Sequence, residues 1–151
     1  MLFRSSQFVV EINEKAIVDL VALRKLRDEF REVGLQVAYD DFGAGQARFL
    51  ELADLPPDYV KLDMALVRDL HLNGARQSLV RAITKASLDL GVKVISEGIE
   101  TREEADICQS LGCTYGQGFL FSRPQAASSL NPQKAKTCQL PILRKALKKG
   151  T

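Results

Sequence analysis

A chain of 151 residues with 46% hydrophobic side chains is sized for one domain with its own core. Its net charge of +2 hides a split: residues 1–121 hold 14 basic and 19 acidic side chains, whereas residues 122–151 hold 7 basic and none acidic. Without an apolar run near the ~20 residues of a spanning helix, a secretory N-terminal pattern, or metal spacing among Cys108, Cys113 and Cys138, the chain reads as a cytoplasmic protein with free thiols.

The first apolar run, Phe8–Val10, predicts a strand ending at Glu11. From Glu14 to Val33, the residues Ile17, Leu20, Leu23, Leu26, Phe30 and Val33 recur every three or four positions and predict a helix, with Gly34 as its left-handed cap. Gln36–Tyr39 predicts a second strand, ending in Asp40 and Asp41. A short helix over Gln46–Ala53 is stopped by Leu55-Pro56-Pro57. Tyr59–Leu62 predicts a third strand, ending in Asp63. Leu79, Ile83, Ala86 and Leu90 mark a helix over Asn73–Leu90, and Val92–Ser96 predicts a fourth strand, ending in Glu97. Thr101 and Glu104 form a capping-box pair that starts a helix ending near Leu111. A last strand lies near Tyr115, followed by Gln117. The order β-α-β-α-β-α-β-α-β predicts an α/β fold with a parallel sheet, either doubly wound or a (β/α) barrel. After Ser122 the chain becomes a basic tail, read as solvated because no aromatic residue is interleaved with its lysines to stack bases.

Acids recur at the far end of one apolar run after another, at Glu11, Asp40-Asp41, Asp63 and Glu97, with Gln117 after the last run; the gaps, taken from Asp41 after the second run, are 29, 22, 34 and 20 positions. In parallel α/β sheets, ligands sit at the carboxyl ends of strands. Carboxylates gathered there repel one another unless a cation lies between them, so the pattern reads as a divalent-metal site. Asp40-Asp41 is the sharpest element: a helix cap would account for one aspartate and leave the other unexplained. Alternation along the third strand puts Lys61 and Asp63 on one face, aimed into the site mouth. A buried Lys–Asp pair kept for structure alone is costly without excellent geometry.

Other motifs carry less. Asp41-Phe42-Gly43 resembles the kinase metal motif, but the chain lacks a His-Arg-Asp loop. Gly43-Ala44-Gly45 is too short for a dinucleotide fingerprint. His71, the single histidine, is read as a loop residue. No serine or cysteine has a base-bearing partner visible in the sequence, so nothing there points to nucleophilic catalysis by a side chain.

Five segments occur in one order: Glu11-Ile12-Asn13-Glu14, Asp40-Asp41-Phe42-Gly43-Ala44-Gly45, Lys61-Leu62-Asp63, Glu97-Gly98-Ile99-Glu100-Thr101 and Gln117-Gly118-Phe119. Together they resemble the EAL-domain family of cyclic di-GMP phosphodiesterases. The resemblance implies a TIM-like barrel and hydrolysis of cyclic di-GMP to linear pGpG with two Mg²⁺ or Mn²⁺ ions. By that resemblance Glu11 and Asp40 are metal ligands and Asp41 supports the second metal. Lys61, Glu97 and Gln117 are the catalytic group: Lys61 holds the attacking water or offsets phosphoryl charge, Glu97 sits beside the metals as ligand or proton acceptor, and Gln117 orients water. Glu14 anchors the loop Phe42–Phe49, and Asp63 and Glu100 support the site.

Three departures stand out against the family pattern. Asn13 replaces a usual Thr and Ser96 a usual Ala, without removing a ligand. The Glu-Ala-Leu strand, and an asparagine ligand on a strand before Glu11, have no counterpart in the chain. The reading is therefore an incomplete TIM-like (β/α) barrel of about five parallel strands. Residues 1–124 correspond to the C-terminal five-eighths of an EAL domain, and 125–151 form a poorly ordered basic tail. Such a chain is expected to bind metal weakly, to be weak or inactive alone, and to oligomerise through open sheet edges. Two alternatives remain: an inactive EAL module that binds nucleotide or a protein partner as a regulator, and an enolase-type barrel lyase using Lys61 as base.

Overall fold

Five short apolar runs form one parallel sheet because each is followed by a segment long enough to return to the same end of the sheet. The computed structural model describes residues 5, 8–13, 19–43 and 49–124. Its elements are β1 (Val9–Asn13), α1 (Leu20–Glu32), β2 (Gln36–Phe42), α2 (Phe49–Asp54), β3 (Tyr59–Leu62), α3 (Met64–Val67), a 3₁₀ turn (Leu70–Leu72), α4 (Gly74–Asp89), β4 (Lys93–Ser96), α5 (Arg102–Ser110) and β5 (Tyr115–Gly116).

The strand order is β1-β2-β3-β4-β5, and every neighbouring pair is parallel. This order decides between the two expected architectures. A doubly wound sheet reverses direction at a switch point; a sheet that advances one strand at a time keeps its crossovers on one face and forms the wall of a barrel. The described strands make such a wall.

Local signals set the helix ends. Asp19 caps α1 by accepting from the Val21 amide at 2.9 Å, so the described helix begins at Leu20; residues 14–18 of the expected helix lie outside the described residues. Asn73 caps α4, accepting from the Arg76 amide at 3.0 Å. The capping box of Thr101 and Glu104 is formed in full. Between β3 and α4, the sequence reading contained no element, yet α3 and the 3₁₀ turn fill that stretch. Both are too short to show a helical period.

The core joins sheet to helices. Val37, Val60, Leu62 and Val94 of the strands are fully buried, as are Leu70, Val80 and Cys108 of the helical layer. Cys108 and Cys113 are free and buried, as expected; Cys138 lies outside the described residues, as does the tail 125–151. Within the described residues, no helix is long and apolar enough to cross a membrane.

Candidate active site at the strand ends

Lys61 is the centre of the site. Its position near the end of β3 places the ammonium among acids carried by three other segments. Nζ lies 2.9 Å from Glu11 on β1, 2.7 Å from Asp40 on β2 and 2.9 Å from Glu97 just after β4. The Lys61 side chain is 5% exposed, whereas Glu11 is 51%, Asp40 23% and Glu97 18% exposed. The carboxylates thus grade from a solvated rim to a closed floor, with the lysine beneath them.

Adjacent residues on a regular strand point to opposite faces, so Asp40 and Asp41 would ordinarily diverge. Here the register between β2 and β3 slips between Tyr39 and Phe42. Asp41 also takes a left-handed backbone conformation, φ 58°. Bulges of this kind re-aim side chains next to functional sites, and a non-glycine residue at positive φ costs of order 1 kcal/mol. The result is that oxygens of Asp40, Asp41 and Glu97 all lie within 4.8 Å of one another. Asn13 Nδ2 donates to Asp41 Oδ2 at 2.6 Å and fixes that carboxylate. Three hard oxygen donors at this spacing fit a divalent cation of the Mg²⁺, Mn²⁺ or Ca²⁺ type.

Charge in the cluster is unbalanced. Burial disfavours the Lys61 ammonium, but hydrogen bonds to Asp40, Glu97 and Glu11 outweigh that and raise its pKa well above the usual lysine value. Glu97 is also raised, chiefly by burial; Lys61 pulls it down, while Asp40 and Glu11 push it up. Glu97 answers to its burial and to the surrounding carboxylates as well as to the lysine. Excess negative charge around one ammonium is the electrostatic condition that favours a further cation.

A second set of contacts holds the strand-end loops. Glu104, 1% exposed, accepts from the Asp69 amide with Oε1 at 3.0 Å. Its Oε2 accepts from the amides of Glu100 at 2.9 Å and Thr101 at 3.2 Å. These backbone donors hold the Glu104 carboxyl below the usual carboxylate value against the opposing effect of burial. Gly98, at φ +68°, passes so close to α3 that an added Cβ would stand 2.6 Å from Met64 Cβ. The loop bearing Glu97 is therefore pinned on both sides.

The remaining expected residues separate. Asp63 lies just past β3, which ends at Leu62, and caps α3 by accepting from the Ala65 amide at 2.7 Å. Glu100 forms a two-pronged pair with Arg68 at the surface, 2.6 and 2.7 Å. Gln117 follows β5 with an exposed side chain; its backbone joins the Glu97 loop through Gln117 N to Ser96 O at 2.8 Å and Ile99 N to Gln117 O at 3.1 Å. Glu14 and residues 44–48 of the Phe42–Phe49 loop lie outside the described residues. His71 sits in the 3₁₀ turn, half-buried, with Nδ1 lacking a hydrogen-bond partner. Sequence reasoning missed Asn13 as the Asp41 partner, although its alternation with Glu11 was visible, and missed Glu104 as more than half of a capping box.

A parallel sheet wound in one direction, with acids converging at its carboxyl ends, defines a (β/α)-barrel-type protein with its site at the strand ends. The chain belongs to the EAL-domain family, whose sequence profile matches residues 2–124. It is 40% identical over 120 residues to the cyclic di-GMP phosphodiesterase PdeR of Escherichia coli (strain K12), covering 78% of this chain and 18% of that protein. It is 35% identical over 126 residues to the cyclic di-GMP phosphodiesterase PA2567 of Pseudomonas aeruginosa, covering 83% and 22%. The manganese/cyclic di-GMP complex of Klebsiella pneumoniae BlrP1 superposes with a TM-score of 0.76 at 40% identity, covering 81% of this chain and 31% of that one. A calcium/cyclic di-GMP complex of the same protein gives a TM-score of 0.75, again at 40% identity, covering 80% and 31%. The chain thus spans about a fifth of the length of these curated relatives.

Proposed function

We propose that this chain supplies the Lys61-centred part of a site that hydrolyses cyclic di-GMP to linear pGpG in the cytoplasm. The observation that carries the reading is the convergence of Asp40, Asp41 and Glu97 within 4.8 Å beside a buried lysine. Relatives named as cyclic di-GMP phosphodiesterases, and one solved with manganese and with calcium beside the dinucleotide, support both substrate and cation.

Glu11, Asp40 and Asp41 would hold divalent ions, Mg²⁺ or Mn²⁺, with Glu97 at their edge. Bound cations would lower the pKa of a water and offset negative charge on the phosphate. The side chains then have separable tasks. Lys61 donates to the attacking water or to a phosphoryl oxygen. Glu97, whose proton affinity burial increases, accepts the proton of that water as its oxygen bonds to phosphorus and the P–O bond to the leaving oxygen breaks; the leaving oxygen takes its proton from solvent water. Gln117 orients the water, and Asn13 fixes Asp41. Asp63 and Glu100 act at one remove, through α3 and Arg68. Glu14 is proposed as the anchor of the Phe42–Phe49 loop.

The test is phosphodiesterase assay of the chain on cyclic di-GMP with Mn²⁺ or Mg²⁺, alone and as part of a complete eight-stranded EAL domain. Turnover in the complete domain that falls by about 100-fold or more in Asp40→Asn supports the reading. Cyclic di-GMP binding without turnover in the complete, folded domain would replace it with a regulatory module.

A further inference from the structure

A lysine ammonium has three N–H donors and no more. In this structure the Lys61 ammonium is met by three carboxylates, those of Glu11 at 2.9 Å, Asp40 at 2.7 Å and Glu97 at 2.9 Å, in a position closed to solvent. The task proposed for Lys61 above, donating to a water or a phosphate, requires a donor that this arrangement does not leave. Two of its three acceptors, Asp40 and Glu97, are also two of the three groups whose oxygens converge on a candidate cation position. Ammonium and divalent ion therefore draw on the same carboxylates.

We propose that Lys61 is a built-in counter-cation: it holds Glu11, Asp40 and Glu97 together while no divalent ion is present, and gives up at least one of them when an ion binds. The inference rests on the metal reading of the site and adds to it an exchange between two cations. Without an ion, the ammonium prevents the acids of β1, of β2 and of the loop after β4 from splaying apart around β3. With an ion, the carboxylates turn toward the stronger charge, and the N–H so released points into the site mouth where substrate would lie. Binding of the ion thus arms the lysine. The same exchange sets a cost on ion entry, because each bond to the ammonium must be replaced.

The experiment measures binding and structure, not turnover. Calorimetric titration of Mn²⁺ into the full chain and into its Lys61→Met variant is compared with melting of both in chelator and in Mn²⁺. The expected result is tighter Mn²⁺ binding in the variant, by tenfold or more, with a lower melting temperature in chelator and a larger rise on adding Mn²⁺. Binding unchanged or weaker in a folded variant overturns the proposal and leaves the metal site standing. Absence of Mn²⁺ binding by the wild-type chain removes the metal reading and the inference together. If the variant does not fold, ¹⁵N spectra of the wild-type lysine ammonium groups decide. The Lys61 signal is expected to be protected from exchange in chelator and to shift on saturation with Ca²⁺; a signal that stays in place while Ca²⁺ saturates overturns the proposal.

Discussion

Lys61 and Glu104 are both charged and both closed to solvent, at 4% and 1% exposure, yet they are neutralised in opposite ways. Lys61 is met by three carboxylates from other strands, each of them able to turn toward another cation. Glu104 is met by backbone amides of Asp69, Glu100 and Thr101, dipoles that the chain itself holds in place. Charge met by charge can be exchanged; charge met by backbone is fixed. The fold uses the fixed arrangement to hold the loops and the exchangeable one where chemistry is proposed.

The largest expected effect separates the two. Glu104→Ala removes the shared acceptor of three backbone amides, at roughly 1–3 kcal/mol for each group left unsatisfied. A loss of about 3–5 kcal/mol in urea unfolding is expected, unchanged by Mn²⁺. Lys61→Met in chelator should cost less, about 2 kcal/mol, because its acids keep partial access to water. That loss should be recovered when Mn²⁺ is added. Recovery of Glu104→Ala by metal, or failure of Lys61→Met to recover, would erase the distinction.

The difference between these two regions was unevenly legible in the sequence. Glu11, Asp40, Lys61 and Glu97 were readable because alternation and strand length place them at one end of a parallel sheet, whatever the helices do. The bulge that turns Asp41 beside Asp40 was not readable. It arises from the register of β2 against β3, and both aspartates look alike without that neighbour. Glu104 was readable as the third residue of a capping box, a local relation. Its bond to Asp69, 35 positions away, depends on how α3 and the 3₁₀ turn bring that amide across. Asp63 lies one residue past the strand, where helix capping, which alternation does not reveal, also engages its side chain.

Acid titration sharpens the comparison, with chelator present. Glu104 has a depressed folded-state pKa, so its contribution is complete above the ordinary carboxylate value of 4.5 and is lost as pH falls through the folded value. Wild type should therefore lose its advantage over Glu104→Gln as pH drops from about 6 toward 3. Glu97 has a raised folded-state pKa, so its ionisation opposes folding as pH rises above 4.5. Glu97→Gln should gain on wild type as pH rises through the same interval. Mn²⁺ should reverse the Glu97 trend, since an ion favours the ionised carboxylate, and leave the Glu104 trend alone. Parallel slopes for both variants in urea-unfolding series would refute the contrast.

The smallest effect comes from the pair whose geometry looks strongest. Arg68 meets Glu100 through two contacts of 2.6 and 2.7 Å, as short as any bond to Lys61. Both side chains, however, stand 35% and 41% exposed, where water competes for each charge and salt screens it. Arg68→Ala should shift the melting temperature by about 1–2 °C at low salt, and by less in 1 M NaCl, where the screening length is about 3 Å. The Glu104→Ala loss should persist in the same salt, because its partners are backbone dipoles and its own carboxylate is closed to solvent. If salt weakened both equally, burial would not be what divides these sites. Contact distance alone would then rank them, and Arg68→Ala would have to cost as much as Lys61→Met.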